Sequence, residues 1–319
     1  MMPLVAMLAA GGTLGVAAPI ILRRLDRLDR APQAAAYLWL LATAGALSAV
    51  ALAGLLLVVG SSRLLTDLAM LLATCTMALR AALDAPTGAP GPLVGLALLA
   101  LVAGGLITGS LVAGIRAWRA ASGQRELLTL AGRTRPGLPG VTVLDHPVPL
   151  AYCLPGRSRG RAGTVVVTTA TLEQLEPAQL EAVLAHERAH QTRRHHALLL
   201  VAQALRIGFP WLPAARAAHS AVARMVELAA DDDAVHHHSR ADVATALAKL
   251  ATAPAPTLGL GAGGPTTIER VHRLTTPPTG PGDALWLAGL VVIVPILAEL
   301  VALTTPLLSV AGTPVCPIT

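Results

Sequence analysis

The chain has 319 residues and a formal net charge of +6; it is 54% apolar but only 2% aromatic and 13% charged. With a mean hydropathy of +0.63, that balance excludes an ordinary soluble domain and suits a membrane protein with a modest water-facing part. The basic residues are nearly all Arg and are scattered or flank apolar runs. Without a basic stripe, they argue against direct nucleic acid binding and for orienting the chain in a bilayer.

The first apolar run, residues 2–22, is long enough to cross at about 20 residues per span. No positive stretch precedes it, and RRLDRLDR (Arg23–Arg30) follows directly. A cleavable signal peptide carries its charge on the other flank, so this reads as a retained anchor with its N-terminus outside. Residues 34–60 form the second span, and residues 61–92 an outer loop. Within that loop, residues 68–79 are apolar but bracketed by Asp67 and Arg80, too short for a normal crossing. APTGAPGP breaks the chain before the third span, residues 93–115, where Gly95, Gly104, Gly105, Gly109 and Gly114 permit close helix contact. Arg116, Arg119 and Arg125 then mark a cytoplasmic end.

Residues 116–283 hold 18 basic and 13 acidic residues and form the one sizeable candidate for an aqueous domain. Val141–Leu144 and residues 164–171 read as short strands, the second bounded by an Arg/Gly-rich turn at residues 156–163. Glu176-Pro177 opens a helix that carries LEAVLAHERAHQTRRHH. In it His186, Glu187 and His190 spell H-E-x-x-H. Two His one turn apart share a helix face, with Cβ atoms roughly 5–6 Å apart, near enough to hold one ion. Glu187 is then placed to act as general base, the signature of a zinc protease. A catalytic zinc takes three protein ligands. A second helix, about residues 213–235, sets Glu227 and Asp231 one turn apart, Glu227 as third ligand and Asp231 orienting a ligand imidazole. His195, His196 and His219 read as surface or packing residues. One of His236, His237 and His238 is a candidate to stabilise the oxyanion.

Between the two site helices, residues 197–212 are apolar but interrupted by Gln203, Arg206 and Pro210. They read as a helix lying on, or dipping into, the inner membrane surface, with Trp211 near the interface. Residues 253–282 are Pro/Gly/Thr-rich around IERVHRL, and GLGAGG (Gly259–Gly264) is a loop, not a nucleotide-binding turn. Residues 286–308 are the fourth span, with Glu299 inside it, and a short outer tail follows. Cys153 reads as a small buried residue, while Cys75 and Cys316 are candidates for an outer disulfide.

The runs AYCLPG, TVVVTTATLEQLEPAQLEAVLAHERAH and VELAADDDA resemble the BlaR/MecR-type membrane metallopeptidases, relatives of HtpX and the CAAX prenyl proteases. The resemblance covers roughly residues 151–274. It implies His186, His190 and Glu227 as Zn2+ ligands, Glu187 as base and Asp231 as the residue orienting a ligand. It also implies that Thr164, Val165, Val166, Val167 and Thr168 are the edge strand that pairs with an extended substrate. The R-V-x-R-L element is implied to pack under the site. Penicillin sensing is not carried over, because the chain stops soon after its last apolar segment.

The expected fold is a mainly α membrane protein with about four transmembrane helices and an inserted α+β zincin-like domain. Residues 1–115 would hold three spans, residues 116–283 a cytoplasmic peptidase domain, and residues 284–319 the last span and tail. The expected function is a multi-pass inner-membrane, zinc-dependent endopeptidase that cleaves a cytoplasmic protein, such as a transcriptional repressor or itself, in signalling or regulated proteolysis. A non-catalytic membrane signalling or scaffold protein with structural zinc and an intramembrane CAAX-type protease are the alternatives.

Overall fold

A computed structural model describes residues 2–59, 90–156, 163–251, 267–276 and 283–311. The short apolar run at residues 68–79, the turn at 157–162, GLGAGG and the Cys75–Cys316 pairing lie outside the described residues.

Helices α1 (Met2–Gly12) and α2 (Ala18–Arg24) run on through a π-helical turn at Thr13–Ala17. Pro19, at the start of α2, has no N–H to offer the preceding turn, and the π register absorbs that mismatch. Helix α3 (Pro32–Val59) is followed by α4 (Pro90–Ala131). At 1.5 Å per residue the 42 residues of α4 span about 63 Å, roughly twice a hydrocarbon core. Its second half therefore projects, carrying Arg116, Arg119 and Arg125. The last helix, α11 (Asp283–Ala311), is again apolar. Four segments among the described residues are long and apolar enough to cross a membrane: Pro3–Arg24, Pro32–Val58, Gly91–Ala131 and Leu285–Ala302. Their number is that of the transmembrane helices expected from hydropathy.

α4 leads into a four-stranded sheet of β1 (Gly132–Thr134), β2 (Val141–Leu144), β3 (Ala151–Leu154) and β4 (Thr164–Thr168), in the order β1-β2-β4-β3. β1 and β2 are antiparallel, β2 and β4 parallel, and β3 and β4 antiparallel in the register Ala151↔Val167 to Leu154↔Thr164. This corrects the edge-strand expectation. Thr164, Val165, Val166, Val167 and Thr168 form an inner strand whose backbone groups already bond on both sides, so it cannot accept another chain. Val165, Val166 and Val167 are buried because both faces are covered. The outer strand on that side is β3.

The remaining helices are α5 (Thr169–Gln174), α6 (Pro177–Thr192), α7 (His195–Gly208), α8 (Pro213–His237), α9 (Arg240–Ala251) and α10 (Thr267–Thr275). Val141, Val143, Val165 and Val167 present one sheet face to Leu184 of α6. The larger core joins the spans to the site helices: Leu14, Trp39 and Ala46 pack in one cluster with Phe209, Leu212, Met225 and Leu228.

Helix α7 docks on α4 where glycine removes the side chains between them. A Cβ on Gly109 would sit 2.2 Å from the Ala204 carbonyl oxygen, and one on Gly208 would sit 2.2 Å from that of Gly105. Gly95 makes the same kind of contact with Gly54 of α3, whereas Gly104 and Gly114 face open space. The α7–α8 turn is level with the middle of the spans. Phe209 meets Gly105 near the centre of the apolar part of α4, and Leu212 meets Gly15 near the centre of the first span.

Candidate active site

α6 begins at a reciprocal cap, with the Glu176 side chain on the N3 backbone and the Gln179 side chain returning to the Glu176 N–H at 3.3 Å. Pro177 holds the first turn. The helix packs its far face against the sheet and turns His186 and His190 towards α8, while Glu187 meets Cys153 of the outer strand. On α8, Glu227 and Asp231 stand one turn apart on the facing surface. The nitrogens His186 Nε2 and His190 Nε2 are 3.1 Å apart. The Glu227 carboxylate lies 3.6 Å from each. One donor atom from each of the three residues falls within 4.8 Å of the other two, so the set can hold one ion.

The far ring nitrogens explain why the near ones face each other. His186 Nδ1 is 3.0 Å from Asp231 Oδ1. His190 Nδ1 is 3.0 Å from His195 Nδ1, and His195 Nε2 is 3.0 Å from Gln33 Oε1 on α3. Burial works against a charged His186, yet hydrogen bonds with Asp231 and Glu227 outweigh it and push its pKa up to about 10. Burial, then the charge of His186, drives His190 down to about 3. Two imidazole nitrogens and a carboxylate, with an accessible side left free, fit a zinc ion.

Arg270 of α10 reaches the same centre. Its guanidinium bonds Asp231 at 2.8 and 2.6 Å and stands 3.0 Å from Glu227. Burial opposes ionisation of both carboxylates, but the hydrogen bonds from His186 and Arg270 hold them below the usual carboxylate range. Glu187 shifts the other way, raised chiefly by burial. The IERVHRL element thus packs at the site, as the resemblance implies. Within it, Arg273 pairs with Asp232 at 2.7 Å and, on α6's end, Arg193 pairs with Asp233, so the two extra aspartates make helix contacts.

These residues open into a cavity of about 520 Å³. One wall is the outer strand (Ala151, Tyr152, Cys153), and another is apolar, from Val183, Val243, Leu247 and Leu250. His196 lines it as well. His236, His237 and His238 do not line it; His236 turns its Nδ1 to the Asp232 carbonyl at 2.6 Å and is exposed. His219 lies on α8 two turns before Glu227, outside the lining. His195, expected to be a surface or packing residue, is fully buried against His190.

A pair of His and a Glu on crossed helices, beside helices apolar enough to cross a membrane, defines the class of site: a candidate metal centre in a chain of membrane-spanning character. The chain belongs to Peptidase family M48, which residues 117–277 match. It is 43% identical over 67 residues to Protease HtpX homolog 2 of Methanosarcina mazei, covering 21% of this chain and 22% of that protein. The homologue of the same name in Methanosarcina acetivorans is 44% identical over 64 residues, covering 20% of this chain and 21% of that protein. The matched stretch thus spans about a fifth of either relative's length. No solved structure matches the chain.

Proposed function

We propose that this chain is a zinc-dependent endopeptidase with His186, His190 and Glu227 as metal ligands, Glu187 as general base and Asp231 orienting His186. The observation that carries the reading is the convergence of two Nε2 atoms and one carboxylate, with both Nδ1 atoms already engaged. A zinc ion there would supply Lewis acidity towards a peptide carbonyl and towards water. Glu187, its proton affinity raised by burial, takes the proton of the attacking water and returns it to the leaving amine. Arg270 keeps Glu227 and Asp231 ionised and fixed.

An extended substrate adds as a strand to Ala151–Leu154, whose other side is already paired with β4. The apolar wall accepts an apolar side chain next to the scissile bond. The four spans support a multi-pass membrane location, and the Arg residues after the first and third spans support a cytoplasmic active site. The BlaR/MecR-type reading, with a cytoplasmic repressor or the protease itself as substrate, rests on the sequence motifs. The structural-zinc alternative expects a fourth protein ligand. His195 and Asp231, the nearest candidates, are each engaged with a ligand's Nδ1.

One observation favours a second reading, access from the bilayer. The α7–α8 turn reaches the level of Gly15 and Gly105, so part of the peptidase region lies at the depth of the spans. A substrate that is itself membrane-anchored is then favoured over a freely soluble one.

The deciding experiment is Glu187→Gln in purified full-length protein. Zinc content stays at one per chain, while hydrolysis falls by about 10²–10⁴-fold, the usual contribution of a general base. A proteome comparison of cells carrying either form then shows the substrate as a fragment present only with the unaltered protein. Undiminished hydrolysis by the variant removes Glu187 as base.

A further inference from the structure

The sequence places Gln33 at the start of the second apolar span, 162 residues before His195. The fold brings their side chains together. His195 is fully buried, and both of its ring nitrogens are engaged, Nδ1 with His190 and Nε2 with Gln33. It reaches His190 because the chain turns sharply between α6 and α7. Arg194, with φ +54°, is the one non-glycine residue of positive φ among the described residues. A residue with a side chain keeps that left-handed backbone only where its surroundings hold it there. The turn is pinned by the Arg193–Asp233 ion pair, and its result is to fold the His195 ring back onto the metal-site helix.

The direction of each hydrogen bond follows from the amide orientation that sets Gln33 Oε1, rather than its NH2, against His195. Gln33 Oε1 can only accept, so His195 Nε2 carries the hydrogen. A neutral imidazole then leaves His195 Nδ1 as a lone pair. That lone pair accepts a hydrogen from His190 Nδ1, and His190 is left with an unprotonated Nε2. This is the nitrogen that lies 3.1 Å from His186 Nε2 and 3.6 Å from Glu227. On the other side, Asp231 accepts from His186 Nδ1 and leaves His186 Nε2 without a hydrogen, 3.5 Å from Arg270 Nη2. Two unrelated devices thus impose the same tautomer on the two imidazoles: a carboxylate for one, a His–Gln relay for the other. The relay begins on a membrane-spanning helix.

We propose that Gln33 and His195 are positioning residues for the metal, Gln33 fixing the His195 tautomer and His195 thereby turning a lone pair of His190 Nε2 towards the ion. The inference rests on the reading of His186, His190 and Glu227 as ligands. A donor without acceptor capacity at position 33 should reverse the relay. It would hydrogen-bond His195 Nε2, move the His195 hydrogen to Nδ1, and force His190 to carry its hydrogen on the nitrogen that faces the ion.

The test uses the full-length protein in detergent and measures zinc affinity by chelator competition. Gln33→Lys is expected to weaken zinc binding by about 10–100-fold, the usual loss when a partner of a ligand imidazole is removed. His195→Asn places an amide oxygen where Nδ1 was, accepts from His190 directly, and keeps affinity within a few-fold. In that background Gln33→Lys should have little further effect, because the relay no longer passes through an imidazole. Unchanged affinity in Gln33→Lys alone overturns the proposal. So does an equal loss in both backgrounds, which would mark simple charge repulsion. Nitrogen NMR of ¹⁵N-histidine in the zinc-loaded unaltered protein reads the tautomers without any substitution. It should show His190 protonated at Nδ1 and His195 at Nε2, and the opposite assignment for His195 also overturns the proposal. Failure of the unaltered protein to bind zinc at all would instead refute the ligand assignment.

Discussion

Cys153 stands on the outer strand, beside the carboxylate of the expected base. Burial first, and then the charge of Glu187, push its thiol up to about 12. Only the thiolate is nucleophilic, so a raised pKa means a thiol that stays protonated and inert through neutral pH. Iodoacetamide labelling of Cys153, followed by peptide mass spectrometry, should rise about a hundredfold between pH 8 and pH 10. An ordinary thiol of pKa about 8.5 would level off within that window. A plateau by pH 9 would mean the thiol sits in water. The ligand candidates at this scale were legible because each pair is local: four residues apart on one helix is enough to share a face. Arg270 and Gln33 were not. Arg270 meets Asp231 across 39 residues of chain, and nothing in IERVHRL says which of its two Arg turns inward. His195 was hidden differently. Five residues after His190 is off the helical face, and only the left-handed turn at Arg194 brings it back.

Among the elements, the α4–α7 crossing decides where the peptidase region stands against the spans. The Gly109 contact is with backbone, which cannot rotate away as a side chain would. Gly109→Ala adds one methyl group 2.2 Å from the Ala204 oxygen and should destabilise the protein by about 1–3 kcal/mol, the range for overpacking. Gly104→Ala, on the same helix but facing open space, should be neutral or gain up to about 1 kcal/mol from helix propensity. Thermal unfolding in detergent compares the two, and equal shifts would remove the close crossing. In the sequence the five glycines within residues 93–115 look alike. Which of them meet a neighbour depends on the rotation of α4, set by α3 and α7 together. The sheet teaches the same lesson. Val165, Val166 and Val167 in unbroken succession signal a strand covered on both faces, hence an inner one, and the short AYCL run carries no such signal although it is the outer strand.

For the whole molecule, hydropathy made the four spans legible but not their relation to the peptidase region. Trp39 and Leu14 belong to the same core as Phe209, Met225 and Leu228, so the site helices are packed among the spans rather than hung below them. α7 has 14 residues and spans about 21 Å, enough to reach mid-bilayer and too little to cross it. Leu200, Val201 and Trp211 are exposed apolar residues on this helix and its turn. Single cysteines at these positions, in a protein freed of its native Cys75, Cys153 and Cys316, test the depth. An impermeant maleimide should fail to label positions 201 and 211 from either side of sealed vesicles until detergent is added, while position 119 on the projecting half of α4 labels from one side. Arg206 and Arg216 flank the turn and are exposed, so the flank that carries them must reach headgroups or water, as long Arg side chains can. The expected pattern is therefore one-sided: apolar positions protected, with cysteines replacing Arg206 or Arg216 partly reactive from the side on which position 119 labels. Labelling of position 211 from the opposite side would make α7 a true crossing. Free labelling of all positions from the position 119 side would place the hairpin outside the bilayer, leaving soluble proteins as the favoured substrates.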